Sequence, residues 1–190
     1  MYRLCVTEQS AQRQRQLEEG LLSAMAIHPY EDISVSDLCQ QMQIPRKSFY
    51  RYFSSKDGAL QALLDHTLMD TENVFQPSPR PGALSSVQVL ESFFLFWKDR
   101  KALLDALARS GLSGLLIQRA IAYAMKEGMF RSHLHPNAAS VPQEWITTFM
   151  VSGLMSLVIH WHHSGFASPV HDVAAAAFRL LTQPMFSATL

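Results

Sequence analysis

The segment Ser34–Lys56 constrains the fold most, because it predicts two short helices separated by a turn. The first helix has apolar residues at the i, i+3, i+4, i+7 spacing of one buried stripe: Val35, Leu38, Cys39 and Met42. Ser34 and Asp37 show the Ser-x-x-acid pattern of a capping box at its start. Pro45 then interrupts the helix, because it has no N–H to donate and disfavours the helical conformation at Ile44.

Residues 46–53, RKSFYRYF, predict a second helix with an apolar side and a basic, aromatic side. At about 100° per residue, Phe49 and Phe53 share one side of this helix. The other side and its flanks carry polar residues: Arg46, Lys47, Ser48, Tyr50, Arg51 and Tyr52. Two short helices joined by a tight turn are typical of a helix-turn-helix, whose second helix can enter the major groove of DNA.

A plain helical hairpin with a solvated face is the alternative interpretation, because such hairpins also occur outside DNA-binding proteins. Two details favour DNA binding. The eleven residues from Arg46 to Lys56 hold four positive charges and no acid. Tyr50 and Tyr52 add hydroxyl groups on rigid rings, which suit contacts with phosphate.

With these residues in view, the segment resembles the DNA-binding signature of TetR-type (tetracycline-repressor-like) transcription regulators. The resemblance rests on the core F-Y-R-Y-F-x-x-K at residues 49–56 and on its distance of about fifty residues from the N-terminus. It is specific over roughly residues 10–68 and concerns only the layout of the chain beyond them. It implies an all-α fold, with an N-terminal three-helix helix-turn-helix domain and a C-terminal helical domain for ligand binding and dimerisation.

Two residues depart from the pattern of that family. The family usually has Gly in the turn where Gln43 stands, and Ser or Asn at the start of the second helix where Pro45 stands. We therefore expect the geometry of the turn and the start of the recognition helix to differ in this chain.

The composition is that of a globular protein, since 48% of the 190 residues are hydrophobic and 17% are charged. No apolar run reaches eighteen uninterrupted residues, and the N-terminus lacks the apolar region of a signal peptide. We therefore expect no membrane span and a cytoplasmic protein. Cys5 and Cys39 are the only cysteines, which does not indicate a disulfide framework.

The net charge is zero, with sixteen basic and sixteen acidic residues, which argues against a protein that coats nucleic acid without specificity. Residues 1–70 hold seven Lys and Arg against nine Asp and Glu. The positive charge is thus concentrated at the motif, as the reader of one short DNA site requires.

A boundary between two domains is predicted at Gln76–Gly82, which holds three prolines and one glycine. We expect a DNA-binding domain over residues 1–70 and a ligand-binding and dimerisation domain over residues 71–190. For the aromatic residues of the second domain, core packing is the default interpretation. The alternative, which the family resemblance chiefly implies, is a cavity for a small-molecule effector. Its candidate lining residues are Phe93, Phe96, Trp97, Leu104, Leu116, Tyr123, Phe149 and Met150.

The last two helices are candidates for a dimer surface. The helix from Trp145 to His163 is apolar almost all round, so it must be covered on both sides. The last helix is rich in alanine, which permits close approach of a neighbour. In the family that the chain resembles, the last two helices pair across a two-fold axis. This implies an interface formed by Phe149, Gly153, Leu157, Trp161, Ala174, Ala177 and Leu181.

Metal and catalytic sites are not indicated. In the run from His160 to His163, the adjacent His162 and His163 point about 100° apart on a helix, so they do not easily share an ion. A polar helix end, where imidazoles favour the carboxyl-terminal dipole, is the simpler interpretation. We find no nucleophile elbow and no glycine-rich phosphate loop. We expect neither an enzyme nor a bound cofactor, and a helical enzyme that uses these histidines remains an alternative.

The sequence hypothesis is a homodimeric regulator, more often a repressor in that family, which reads a near-palindromic operator in double-stranded DNA. Four residues are expected to face base edges: Arg46, Lys47, Ser48 and Arg51. Tyr50, Tyr52 and Lys56 are expected to contact the phosphate backbone, and Ser34 and Ser36 lie where the supporting helix can reach a base or phosphate. The competing hypothesis is a helical ligand- or protein-binding module whose helix-turn-helix is only structural.

Overall fold

The computed structural model describes Tyr2, residues 7–71, Val74, residues 85–129 and residues 141–183. The helices in these ranges are α1 (Glu8–Met25), α2 (Val35–Gln41), α3 (Arg46–Tyr50), α4 (Lys56–Asp70), α5 (Ser86–Asp99), α6 (Lys101–Arg109), α7 (Ser113–Lys126), α8 (Gln143–His163) and α9 (Val170–Thr182). A 3₁₀ turn at Tyr30–Asp32 joins α1 to α2. The described ranges contain one isolated bridge, between Tyr2 and Phe53, and no longer strand. The predicted all-α fold is confirmed.

The chain divides into two compact units. The first unit comprises Met1–Met69 together with Ala102–Gly114, and the second comprises Asp70–Lys101 together with Leu115–Leu190. The segment Ala102–Gly114 thus packs with the first unit, although the sequence division at residue 70 places it in the second domain. The boundary predicted from residues 76–82 lies outside the described residues, and the division of function at residue 70 stays a prediction.

Hydrogen bonds at the end of α6 explain why this segment belongs to the first unit. Nη1 of Arg109 donates to the carbonyl oxygens of Met25 at 2.7 Å and Ala26 at 2.6 Å. These carbonyls lie at the C-terminal end of α1, where backbone acceptors lack helical partners and a cation is favoured. The backbone N–H of Tyr30 donates to Oγ of Ser110 at 3.0 Å. A sequence-distant segment therefore completes the end of α1 and the turn that follows.

The core of the first unit is built on α1. Its apolar residues Leu17, Leu21, Ala24 and Met25 are buried. Helix α2 approaches α1 closely at Gly20, where an added Cβ would lie 2.3 Å from Sδ of Met42. On α4, Leu60, Leu64 and Leu68 are buried as well.

A buried polar contact joins α1 to α4. The carboxylate of Glu18 is almost fully buried, and both of its oxygens lie 2.9 Å from Nδ1 of His66. Tyr2 covers this contact, with its ring edge-on to the imidazole at 5.8 Å and its hydroxyl donating to Oδ2 of Asp65 at 2.9 Å. Because a buried carboxylate without a partner is strongly destabilising, this contact fixes the spacing of α1 and α4.

The second unit has an aromatic core built on α5. Phe94 and Trp97 are fully buried, and the ring of Phe94 meets that of Trp161 edge-on at 5.9 Å. Helix α9 packs on α5 through its alanine side, and His171 on α9 is hydrogen-bonded to Glu91 on α5. Small side chains allow the two helices to lie close together.

This packing corrects part of the predicted dimer surface. Trp161, Ala174 and Ala177 are buried inside the second unit, and Nε1 of Trp161 donates to the carbonyl oxygen of Ser168 at 2.9 Å. They cannot contact a partner without opening the unit. The alanine side of α9 does permit close approach, but the neighbour it receives is α5 of the same chain.

Helix α8 carries an exposed apolar stripe, which we call the α8 outer face. It consists of Trp145, Thr148, Phe149, Ser152, Gly153 and Ser156, which line an open groove of about 520 Å³. Trp145 is 65% exposed and Phe149 69% exposed. The opposite side of α8, with Val151, Leu154 and Val158, is buried. Within the described ranges, none of the helices is both long enough and apolar enough to cross a bilayer.

Candidate nucleic-acid interface

The start of α2 is fixed by the predicted capping box. Oγ of Ser34 accepts from the backbone N–H of Asp37 at 3.1 Å, and Oδ2 of Asp37 accepts from the backbone N–H of Ser34 at 3.2 Å. The Ser34 hydroxyl also donates to this carboxylate at 2.6 Å. These hydrogen bonds lower the pKa of Asp37. The Ser34 side chain is therefore engaged in capping, which differs from the DNA contact expected of it, whereas Ser36 is exposed on the first turn.

The turn between α2 and α3 adopts the geometry for which glycine is usually chosen. Gln43 has a φ of +54°, in the left-handed region. The family that the chain resembles usually has Gly at this position. The turn therefore keeps the conformation that Gly favours, and Gln43 adopts it with backbone strain. Pro45 occupies the N-cap of α3 and makes no side-chain capping bond. Its fixed φ of −64° instead positions the start of α3.

Helix α3 is anchored from below by two phenylalanines. Phe49 and Phe53 are each 1% exposed, and their ring centroids lie 5.2 Å apart. The α-helix ends at Tyr50, three residues before the predicted end. Beyond the helix, Phe53 forms an isolated bridge with Tyr2, and Ser55 then caps α4 by accepting from the N–H of Gly58 at 3.1 Å.

The outward side of α3 and its C-cap form a basic, aromatic surface, which we call the recognition surface. It consists of Arg46, Lys47, Tyr50 and Arg51, all exposed. The guanidinium of Arg46 lies 6.0 Å from the Tyr50 ring centroid, and its hydrogen bond to Tyr50 raises the pKa of Arg46. Within the part of the chain that the structure describes, Lys47 and Arg51 have no acidic partner. Ser48 and Tyr52 are half-buried beside this surface.

The contacts of Lys56 differ from the phosphate contact that the sequence predicts for it. Its Nζ donates to the carbonyl oxygens of Tyr30 at 2.5 Å, Ile33 at 2.6 Å and Glu31 at 3.4 Å. It also lies 4.2 Å from the centroid of the Tyr30 ring. An ammonium has three donors, and all three point at backbone acceptors. Lys56 therefore holds the turn between α1 and α2 in place, and its expected phosphate contact is not supported by this geometry.

Tyr30 is a structural residue whose role no motif in the sequence predicts. Burial, together with a hydrogen bond from its hydroxyl to Oδ1 of Asp57 at 2.6 Å, raises its pKa. The turn at Tyr30 is thus held by Lys56 and Asp57 at the start of α4 and by Ser110 after α6. No local pattern points to these contacts, because they join residues distant in sequence.

Neither the family models nor the curated proteins include a match to this chain. Solved structures do match. A TetR transcriptional regulator from Streptococcus agalactiae 2603V is 14% identical, with a TM-score of 0.65 over 92% of this chain and 96% of that one. A tetR-family regulator from Streptomyces coelicolor is 20% identical, with a TM-score of 0.57 over 90% and 79%. The TetR family repressor AlkX from Dietzia sp. is 13% identical, with a TM-score of 0.52 over 88% and 92%.

The chain has the TetR-family fold. The agreement extends over 88–92% of this chain and 79–96% of these regulators, so it includes both the helix-turn-helix and the helical second unit. At such low identity the agreement establishes the fold, while the residues that bind DNA, ligand or a partner have to be argued from this chain alone.

In the TetR fold of this chain, the eight residues predicted to line an effector cavity differ in burial, and they do not all belong to the second unit. Phe93, Trp97 and Leu116 are buried in the second unit, where Phe96, Tyr123 and Met150 are half-buried. Two residues differ from the prediction. Leu104 belongs to the first unit, and Phe149 is on the α8 outer face, exposed to solvent.

Proposed function

We propose that the chain is a homodimeric transcription regulator that binds a near-palindromic operator through the recognition surface. The observation that carries this proposal is the arrangement of α3. Its apolar side is fixed by Phe49 and Phe53, while its exposed side presents three cations and a tyrosine. A structural hairpin has no need of this charge, whereas a helix that enters the major groove requires it.

The residues of the recognition surface suit different parts of a duplex. Arg46 and Arg51 have guanidinium groups that can donate two hydrogen bonds to one guanine edge. Lys47 has no partner that would hold it away from DNA, and Ser48 lies beside it. The hydroxyl groups of Tyr50 and Tyr52 are suited to phosphate oxygens, which position a helix without reading sequence.

The α8 outer face is the proposed dimer surface. It retains three of the residues that the sequence assigns to dimerisation: Phe149, Gly153 and Leu157, of which Leu157 is half-buried at its margin. Leu181 on α9 is also half-buried and accessible in part. An added Cβ at Gly153 would meet no atom within 4 Å, so a second helix can approach there. Exposed aromatic residues beside small ones favour self-association over solvation.

Regulation is proposed to come from a small effector bound in the second unit. An effector changes DNA binding only if its affinities for the DNA-competent and DNA-incompetent states differ. Repression with release by the effector is the proposed mode. In this mode the DNA-bound protein blocks access to a promoter until the effector is present.

The deciding experiment is selection of bound sequences from a random pool of duplexes by the full chain. The proposal requires a two-fold-symmetric sequence, with half-sites about one helical turn apart. A parallel selection with the triple variant Lys47→Ala, Arg46→Ala and Arg51→Ala is the control and should enrich nothing. If the natural chain also enriches nothing, the helix-turn-helix is only structural and the competing hypothesis of a helical binding module is preferred.

A further inference from the structure

Tyr2 precedes α1 in the chain but lies against two other parts of the first unit. Its backbone forms an antiparallel bridge with Phe53, just beyond α3. Its side chain contacts α4, where its hydroxyl donates to Oδ2 of Asp65 at 2.9 Å. Its ring stands edge-on to the imidazole of His66, with ring centroids 5.8 Å apart. One residue therefore joins the segment that follows α3 to α4.

The orientation of α3 depends on the contacts at its ends. The helix has five residues, Arg46–Tyr50, and a helix this short is not stable by its own hydrogen bonds. Beyond it, the backbone N–H groups of Tyr52 and Phe53 both donate to the carbonyl oxygen of Phe49, at 3.0 and 3.1 Å. The side chain of Phe53 is 1% exposed. Phe53, which bridges to Tyr2, is thus the anchor at the C-terminal end of α3.

Helix α4 gives Tyr2 a fixed attachment. His66, against which the Tyr2 ring lies, is paired with the almost fully buried carboxylate of Glu18 on α1. Because a buried carboxylate is strongly destabilising without its partner, His66 has little freedom to move. Tyr2 therefore connects the end of α3 to α4 and, through His66, to α1.

We propose that Tyr2 is a positioning residue for the recognition surface. By holding the segment after α3 against α4, it fixes the direction in which Arg46, Lys47 and Arg51 project. Side chains that contact base edges require such a fixed geometry, whereas attraction to phosphate requires only their charge. The effect on operator binding rests on the proposed function, but the holding of α3 does not.

Amide hydrogen exchange tests the holding of α3 without DNA. Tyr2→Ala removes the ring and the hydroxyl, so the protection of the Tyr52 and Phe53 amides should fall about tenfold through easier local opening. The Met42 amide, which donates to the carbonyl oxygen of Leu38 at 3.0 Å, is the internal reference and should keep its protection. Unchanged protection at Tyr52 and Phe53 overturns the inference, and so does an equal fall at Met42, which would indicate general destabilisation.

Fluorescence anisotropy on the selected operator and on a random duplex tests the effect on DNA binding. We expect Tyr2→Ala to bind the operator about tenfold more weakly, the loss of one well-placed base contact. Its affinity for the random duplex should not change, because the charges that attract phosphate remain. Tyr2→Phe keeps the ring and lacks only the hydroxyl, so its operator affinity should lie within about threefold of that of the natural chain.

Met25→Ala is the matched control for stability. Met25 is 0% exposed at the C-terminal end of α1, so its truncation destabilises the same unit. Measured below the melting temperatures of both variants, Met25→Ala should keep the ratio of operator affinity to random-duplex affinity. Should Tyr2→Ala fail to fold, Tyr2→Leu, which keeps an apolar side chain, takes its place with the same expectations.

The inference is overturned if Met25→Ala lowers this ratio as much as Tyr2→Ala does, or if Tyr2→Ala weakens binding to both duplexes equally. If the natural chain selects no operator, the proposed function is refuted. Hydrogen exchange at Tyr52 and Phe53 then decides by itself whether Tyr2 holds the end of α3.

Discussion

The recognition surface and the α8 outer face are both exposed, but their chemistry is opposite. The first combines three cations with a tyrosine, and the second combines two aromatic residues with threonine, serine and glycine. Exposed charge is well hydrated and attracts a polyanion in a salt-dependent manner. Exposed apolar surface is stabilised only when another apolar surface covers it. In the proposed function, the first surface serves reversible DNA contact and the second serves lasting self-association.

The largest effect is expected from a charge on the α8 outer face. Phe149→Asp should weaken the dimer by about 100-fold or more, because a buried carboxylate without a partner destabilises an interface by roughly 3 kcal/mol. Analytical ultracentrifugation should then show a monomer, with operator affinity reduced accordingly. Met125→Asp, on the exposed side of α7, is the control and should remain dimeric. A dimeric Phe149→Asp variant would place the interface elsewhere.

The next effect concerns the recognition surface. Lys47→Ala should cost about 1–3 kcal/mol on the preferred operator and relax the preference at one base position of each half-site, because a base contact is lost. Fluorescence anisotropy on a set of single-base operator variants measures this. Arg13→Ala, on the exposed side of α1, should leave the preference intact. Equal weakening on every duplex would show that Lys47 contacts phosphate instead.

The Lys56→Met variant tests whether a charged side chain near the recognition surface stabilises the fold. Lys56→Met should lower the free energy of unfolding by about 1.5 kcal/mol, because charged hydrogen bonds to three carbonyls are lost. The salt dependence of DNA binding should not change. Urea denaturation measures the first quantity and anisotropy at several salt concentrations the second, with the exposed Lys126→Met as control. A salt slope smaller by about one, at unchanged stability, would restore the phosphate contact that the sequence predicts.

The smallest effect is expected at the turn before the recognition surface. Gln43→Gly should raise the stability by about 0.5–1 kcal/mol, because the left-handed conformation is unfavourable for any residue with a Cβ. Gln40→Gly, within α2, should lower it by a similar amount through lost helix propensity. Thermal unfolding distinguishes the two. A destabilised Gln43→Gly variant would mean that the Gln43 side chain contributes more than its backbone strain removes.

The helix-turn-helix was largely predictable because its determinants are local. The capping pair Ser34 and Asp37, the buried Leu38 and the anchoring Phe49 and Phe53 all follow from spacings of a few residues. The end of α3 at Tyr50 does not follow from these spacings, and Phe53 beyond it pairs with the distant Tyr2. The local pattern also does not predict the role of Lys56, since its acceptors lie more than twenty residues away.

The second unit was less predictable because its helices are apolar on more than one side. Periodicity does not tell which side of α8 faces inward. The sequence therefore predicts one role for Trp161 and Phe149, although Trp161 is buried and Phe149 is exposed. For Ala174 and Ala177, small size indicated close packing but not whether the neighbour was a partner or α5. Pattern alone does not specify the identity of a contacting helix.

The position of α6 has a practical consequence for dissecting this protein. A fragment ending at residue 70 would contain the whole helix-turn-helix but would lack Arg109 and Ser110. The carbonyls of Met25 and Ala26 and the N–H of Tyr30 would then lose the bonds that they make here. We therefore expect the end of α1 to be less ordered in a fragment of residues 1–70. Engineered fusions that contain the helix-turn-helix should also include residues 102–114.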